Sequence, residues 1–282
     1  VNYRHIYHAG NFADVLKHAV LVRLLDYLKR KDKAFRVIDT HAGIGLYDLS
    51  SDEAMKTGEW REGIGRLVDA PLEADAAALL APYLAAVAAF NPDGGVTNYP
   101  GSPLLVRALL RPQDRLSAIE LHPEDYRELA GRFAGDHQVR VTHLDGWLAL
   151  GAHVPPKERR GIVLVDPPFE ERGEYERMVE RFAVAYRRFP TGTYCLWYPL
   201  KEGAPIGRFH ASLAALDIPA ILAAELNVRG PATTGLTGSG LILVNPPYML
   251  ADELSVLLPA LTERLAQDKS ASYRVLWIRE QR

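Results

Sequence analysis

Gly161-Ile162-Val163-Leu164-Val165-Asp166-Pro167-Pro168-Phe169 is the stretch whose reading decides the architecture. Ile162 to Val165 are apolar and mostly β-branched, which predicts a short buried strand. Pro167 and Pro168 cannot donate to a sheet ladder, so the strand must stop there. What remains at its carboxyl end is a carboxylate, a rigid turn with bare carbonyls, and an aromatic ring. In open α/β sheets ligands bind at that edge. A carboxylate and the Pro167 carbonyl can accept hydrogen bonds from a planar exocyclic amine while Phe169 stacks on the ring that bears it. Taken alone, the same residues also fit an ordinary strand-to-turn transition. The choice rests on what precedes them.

Three further strands lie upstream. Phe35 to Asp39 runs into Thr40-His41-Ala42-Gly43-Ile44-Gly45, a turn whose glycines let backbone approach a ligand closely. The pattern is similar to the DxxxGxG loop of S-adenosylmethionine-dependent methyltransferases, and it is not the GxGxxG fingerprint of dinucleotide enzymes. Arg115 to Leu121 ends in Glu120, where a Rossmann-like site holds ribose hydroxyls. Val139 to Leu144 leads to Asp145-Gly146, an acid with close backbone that suits an adenine amino group. Each carboxylate alone reads as a turn residue. Asp39, Glu120, Asp145 and Asp166 at one sheet edge, beside a Gly-x-Gly loop, point to a ligand site. Few basic residues accompany them, which disfavours a phosphate-rich dinucleotide and favours a positively charged sulfonium cofactor.

Residues 1–11 are dense in stacking and hydrogen-bonding groups: Tyr3, Arg4, His5, Tyr7, His8 and Asn11. His5 and His8 lack the partners of a recognised metal pattern, so no metal is expected. Asn11 is a candidate N-cap for a helix from Phe12 to Lys31, apolar at Val15, Leu16, Ala19, Val22 and Leu25. Within it, Lys17 reads as a solvated lysine and His18 as a packed histidine. Residues 47–98 interrupt the β-α alternation with alanine-rich helix and no clear strand pattern, and are read as a helical insertion. Ser102 before Pro103 reads as a helix cap.

Downstream, helix is expected at Tyr175–Phe189 and strands at Thr193–Leu200, Ala220–Val228 and Leu241–Val244. Gly230 to Gly240 reads as a mobile loop. Asn245-Pro246-Pro247-Tyr248 looks more like an amine-methylating signature than Asp166 to Phe169 does. Strand order decides against it. It follows a seventh strand, antiparallel to its neighbours, and so faces the opposite edge; a structural role is expected.

Composition sets the bounds. The chain has 282 residues with 48% hydrophobic side chains, enough for one large α/β domain or two small ones. A net charge of −2 means that any nucleic-acid contact must come from a local patch. The single cysteine, Cys195, reads as a small buried hydrophobe; it excludes a disulfide framework and fits a cytoplasmic location. No apolar run is long enough for a membrane span.

Taken together, Tyr3–His18 (YRHxxHAGNxADVLKH), Asp39–Gly45, Tyr99–Pro103, Glu120–Pro123, Asp145-Gly146, Asp166–Phe169 and Thr191–Pro199 resemble the RlmJ family of bacterial 23S ribosomal RNA adenine-N6 methyltransferases. The resemblance implies a Rossmann-like class I methyltransferase with a seven-stranded, mostly parallel sheet and the insertion at residues 47–98, flanked by 1–46 and 99–282. It implies S-adenosylmethionine as cofactor, held by His18, His41, Gly43, Ser102, Glu120, Asp145, Gly146 and Asp166. It implies catalysis by Asp166, Pro167 and Phe169, and a substrate pocket with Tyr3, His5 and Lys17. Phosphate contacts are expected from Arg4, Lys17 and the Lys157–Arg160 run, and a monomer acting on protein-free RNA. Phe169 stands where tyrosine is expected, but stacking needs only the ring face. A guanine-N2 or other amine methyltransferase, and a non-catalytic RNA-binding protein on the same fold, are the alternatives.

Overall fold

The computed structural model describes residues 4–230 and 235–280, so Tyr3 lies outside the described residues. Asn11 is extended (φ −68°, ψ 177°) and its side chain accepts from the N–H groups of Ala13 and Asp14, which starts α1 (Phe12–Lys29). That helix ends two residues before the expected Lys31. It is buried on almost every face, so it is a core helix rather than a surface one.

The chain continues through β1 (Arg36–Asp39), β2 (Leu46–Asp48), α2 (Asp52–Thr57), α3 (Ile64–Leu67), α4 (Ala74–Ala88) and β3 (Asn98–Pro100). Then come α5 (Ser102–Leu109), β4 (Arg115–Glu120), α6 (Pro123–Arg132), β5 (Val139–His143), α7 (Gly146–Ala152) and β6 (Gly161–Val165). The last part holds α8 (Glu174–Arg188), β7 (Thr193–Lys201), α9 (Ile206–Ala214), β8 (Ile221–Asn227), β9 (Leu236–Val244), α10 (Leu250–Leu265) and β10 (Ser272–Arg279).

The main sheet has the order β10-β8-β9-β7-β6-β1-β4-β5. Strands β5, β4, β1, β6 and β7 are parallel; β9 is antiparallel to both β7 and β8, and β10 is antiparallel to β8. This is the Rossmann-like α/β sheet of the class I methyltransferases. Every residue of β6 is buried, as a central strand covered on both faces requires. Ile162 and Leu164 enter the core under α1, α5 and α10, whereas Val163 and Val165 enter the core under α7, α8 and α9.

The sheet has eight strands, not seven. The addition is β10, an edge strand that stays largely half-exposed and carries Arg274 and Arg279, the usual way an edge is kept soluble. Residues 47–98 do touch strand structure: β2 and β3 pair antiparallel as a separate two-stranded ribbon, with Tyr47 opposite Tyr99. The expected Gly230–Gly240 loop is shorter, because β9 begins at Leu236. Its glycines serve close approach rather than motion: a Cβ on Gly240 would lie 2.2 Å from the Tyr198 ring. Asn245 follows β9 and donates to the carbonyls of Pro190 and Gly192, just before β7. Asn245 to Tyr248 therefore sits at the amino-terminal edge, as strand order predicts. Among the described residues no helix is long and apolar enough to cross a membrane.

Candidate active site

The parallel strands β6, β1, β4 and β5 deliver Asp166, Asp39, Glu120 and Asp145 to one edge of the sheet. A cavity of about 800 Å³ opens there, running from Glu120 and Asp145 past Asp166 to Trp197. Its volume falls within the usual range for a small-molecule site.

A buried ion network forms one wall. The Lys17 ammonium, on a side chain only 4% exposed, donates to Asp14 Oδ1 at 2.8 Å and to Asp166 Oδ2. Burial alone would push Lys17 down, but Asp14 and Asp166 together hold it above its ordinary value, so it stays an ammonium. Asp14 Oδ2 also accepts from His5 Nε2 at 2.8 Å and from the Gly10 N–H at 2.9 Å. One helical turn separates Asp14 from Lys17, which places them on the same face of α1. Asp166 is thus oriented from behind by α1. Its Oδ1, like the Pro167 carbonyl, accepts no hydrogen bond among the described residues.

Two histidines present opposite polarities to the cavity. His18 Nδ1 lies 2.7 Å from the Tyr99 hydroxyl, which lies 2.9 Å from the Tyr83 hydroxyl. Tyr83 is fully buried and that contact is its one hydrogen bond among the described residues, so its O–H must donate to Tyr99. Tyr99 then donates to His18 Nδ1, which leaves the proton on Nε2. Burial pushes the His18 imidazole down to about 3, so it is neutral with an Nε2 donor. His41 is the reverse. Thr40 donates its hydroxyl proton to the Leu164 carbonyl, so it can only accept from His41 Nδ1 at 2.8 Å. Burial likewise pushes His41 down to about 4, leaving Nε2 as an acceptor.

Glu120 accepts from the Gly43 N–H at 2.8 Å and the His122 N–H at 2.7 Å, which fixes the glycine turn against β4. Asp145 caps α7 by accepting from Trp147 N–H at 2.7 Å. Gly146 clears the floor beside it: a Cβ there would lie 2.3 Å from the Thr40 carbonyl and 2.7 Å from His41 Nε2. Ser102 donates to Asp39 at 2.6 Å.

Burial pushes the fully buried Asp39 carboxyl up to about 7; the Ser102 bond opposes this and the Asp166 charge adds to it. Unfolded aspartate ionises at about 3.9. Between these values the folded chain holds a proton that the unfolded chain has lost, so this residue's contribution to stability falls as pH rises through the window. Asp39→Asn is expected to gain stability over the parent progressively from pH 4 to 7 and to level off above. Urea unfolding from pH 5 to 8 checks it; a difference that does not change with pH would refute it.

Phe169 adopts φ +52°, a left-handed conformation that costs a bulky residue about 1 kcal/mol or more. Its ring packs at 4.8 Å from Tyr175 and edge-on at 5.7 Å from Trp197. Tyr175 is in turn tied to the Pro199 carbonyl at 2.7 Å. This aromatic shelf holds the strained turn and aims the ring at the cavity.

Over residues 32–279 the chain matches the family described as "Ribosomal RNA large subunit methyltransferase D, RlmJ". The chain belongs to the RlmJ family. Two curated relatives, each named ribosomal RNA large subunit methyltransferase J, are 44% identical: that of Haemophilus influenzae over 280 residues and that of Escherichia coli K12 over 279 residues. Each alignment covers 99% of both chains. A crystal structure of a Legionella pneumophila protein superposes with a TM-score of 0.86 at 36% identity, covering 96% of this chain and 98% of that one.

The fold brings His5, Lys17, His18, His41, Gly43, Ser102, Glu120, Asp145, Gly146, Asp166, Pro167 and Phe169 of this RlmJ-family chain to the cavity. Lys17 is not a solvated lysine, because its side chain is buried and its ammonium is spent on two carboxylates rather than held out for a phosphate. Ser102 is not the cap of α5; Gly101 holds that position, and Ser102 turns inward to Asp39. Arg4 is engaged by Asp125 at 3.0 Å. The Lys157–Arg160 run lies before β6, at the far edge of the sheet. Asp14 was missed, although a signal existed: a helix apolar on most faces cannot bury Lys17 without a carboxylate three or four residues away. The relay residues Tyr83 and Tyr99 had no such signal.

Proposed function

We propose that this chain methylates the N6 amino group of an adenine in 23S ribosomal RNA, on protein-free RNA, with S-adenosylmethionine as methyl donor. The observation that carries the reading is the turn after β6, where the free Asp166 Oδ1 and Pro167 carbonyl stand beside the ring of Phe169.

The cavity suits the cofactor. Carboxylates line it, Gly43 and Gly146 bring backbone close, and no Cβ would fit at Gly146. Glu120 would hold the ribose hydroxyls and Asp145 the adenine amino group. His18 would donate and His41 accept, and the Ser102 hydroxyl oxygen, whose proton goes to Asp39, would be a further acceptor. When bound, S-adenosylmethionine supplies an electrophilic methyl group on a positively charged sulfur. Gly146→Ala is expected to weaken its binding about tenfold or more, since the added carbon must displace the Thr40 backbone or the His41 ring. Titration calorimetry checks this, and an unchanged Kd would refute it.

The remaining work falls to residues of the chain. Asp166 Oδ1 and the Pro167 carbonyl accept the two amino protons, which draws the nitrogen lone pair out of the ring and towards a pyramidal geometry. Phe169 stacks on the extruded base and fixes its angle, a positioning effect rather than covalent catalysis. Lys17 holds Asp166 still. The methylated amine is acidic enough to lose its proton to Asp166 or water without a stronger base. His5, through Asp14, belongs to the same substrate wall, and Tyr3 is assigned there by motif.

Tritiated methyl transfer to protein-free 23S ribosomal RNA, followed by nucleoside digestion, tests the reading. Label in N6-methyladenosine is expected. Label in N2-methylguanosine would overturn the base assignment, and no label would overturn the reaction.

A further inference from the structure

We propose that the amino-terminal edge of the sheet is a second RNA-contact surface, where Tyr248 stacks a base and Arg30, Lys31, Lys33, Lys157 and Arg159 meet phosphates. The inference rests on RNA being the substrate, and assigns the surface that holds the RNA outside the cavity.

The surface is built from three segments that the fold joins. The Arg36 N–H donates to the Arg160 carbonyl at 3.0 Å and the Arg115 N–H to the Phe35 carbonyl at 3.1 Å, so the approaches to β6, β1 and β4 lie side by side. Segments 26–36, 111–115 and 157–160 carry ten lysines and arginines against four carboxylates, in a chain whose total charge is −2. That segregation is strong. Three of the four carboxylates are already engaged: Asp26 by Arg23 and Lys29, Asp114 by Arg111, and Glu158 by Arg36. Asp32 is exposed, 3.9 Å from Arg111.

Some of the cations are structural. The Arg111 guanidinium donates to the carbonyls of Lys31 at 2.9 Å and Lys33 at 3.1 Å, and Arg160 donates to those of Lys33 and Leu28. Both guanidiniums pack on the Phe35 ring, at 5.6 and 5.9 Å. They hold the turn after α1 rigid. The side chains of Arg30, Lys31, Lys33, Lys157 and Arg159 are exposed and make no ion pair among the described residues. The dipole of α1 accounts for cations at its carboxyl end. It does not account for those on the 157–160 loop.

An aromatic group completes the pattern. Tyr248 is 81% exposed and meets Tyr27 edge-on at 6.3 Å, while Arg30 lies 5.9 Å over the Tyr27 ring. Asn245, at φ +51°, is pinned to two carbonyls at 2.8 Å and fixes the turn that presents Tyr248. An exposed ring on a rigid turn beside unpaired cations is the arrangement that binds single-stranded nucleic acid. Along the buried β6 this edge lies about 16 Å from the cavity, at about 3.3 Å per residue, and an RNA must run further than that over the surface, so the second contact should matter for a long fragment and not for a short one.

The test uses two variants of the full chain, neither touching the cavity. Lys31→Glu, Lys33→Glu and Lys157→Glu combined are expected to raise KM for a long 23S fragment about tenfold or more with kcat unchanged. Loss of three phosphate contacts should make the salt dependence of binding shallower by about 2 in log–log slope. Tyr248→Ala is expected to raise the same KM about fivefold without altering that slope. A short acceptor RNA confined to the cavity should be methylated equally by parent and variants. If the parent methylates long RNA and the variants match its KM and salt slope, this surface is wrong and the methyltransferase reading stands. If the parent binds no RNA, both fall.

Discussion

Replacing Asp166 with alanine is expected to lower methyl transfer by at least about a hundredfold while the chain stays folded. The loss follows from geometry. Asp166 supplies one of the two acceptors for the amino group, and misplacing a reacting atom by one ångström is enough to cost about that much. Folding should survive because the carboxylate faces the cavity, where water can take its place beside Lys17. Lys17 also keeps Asp14, 2.8 Å away. Asp166→Asn separates charge from shape. It preserves an oxygen acceptor but loses the ion pair, and should be nearly as inactive if Lys17 is what holds the group in place. Label transfer and thermal unfolding of both variants give the answer, and full activity in Asp166→Ala would sink the mechanism.

Asp14→Ala should do the opposite, striking stability first. The carboxylate is about 1% exposed and satisfies Lys17, His5 and the Gly10 N–H together. Burial alone would raise it, but His5 and Lys17 hold it well below the usual carboxylate range. Its contribution is therefore present above about pH 4, the unfolded value, and is lost as pH falls through its depressed folded value. Removing the carboxylate leaves Lys17 with Asp166 alone and the buried Gly10 N–H without its acceptor, at a cost of about 1–3 kcal/mol. Denaturant unfolding at pH 7 measures this. A loss under about 1 kcal/mol would mean that Lys17 finds other partners and that the network does not organise the site. Activity should fall too, because Asp166 loses a rigid neighbour.

The frame of the molecule was legible because central strands and their ends are written in local chemistry. Ile162 to Val165 is apolar on both faces, and Pro167 marks its end; the runs ending in Asp39 and Glu120 are mostly apolar and end in a carboxylate followed by turn chemistry. Strand order even separated Asp166 from Asn245, whose Pro-Pro sequences look alike. The failures have physical causes. Strand β10 has no buried face of its own to enforce alternation, although its Val-Leu-Trp-Ile run was a usable sign. The glycines of β9 resemble those of a loop, because a sequence does not show that the Tyr198 ring sits against Gly240. At the site, residue types were legible and partners were not. Lys17 looks solvated until the fold brings Asp166, 149 residues away, to it beside its helix neighbour Asp14. The tautomers of His18 and His41 depend on hydroxyl chains that exist only in three dimensions.

Strands β2 and β3 have a consequence for how such a chain can change over generations. They close residues 49–97 at the base, so that the segment leaves the frame and rejoins it at nearly one point. Closing a loop costs entropy that grows only with the logarithm of its length, so closure itself sets little limit on how long the segment is. Packing sets the limit instead: Ile64, Leu80 and Val87 are buried in the main core, the Ile64 N–H donates to the Gly10 carbonyl at 2.8 Å, and the Tyr83 hydroxyl reaches Tyr99 and, through it, His18. Drift and lengthening are therefore confined to its exposed stretches, such as residues 92–95, while α3 and α4 keep the registers that their core contacts impose.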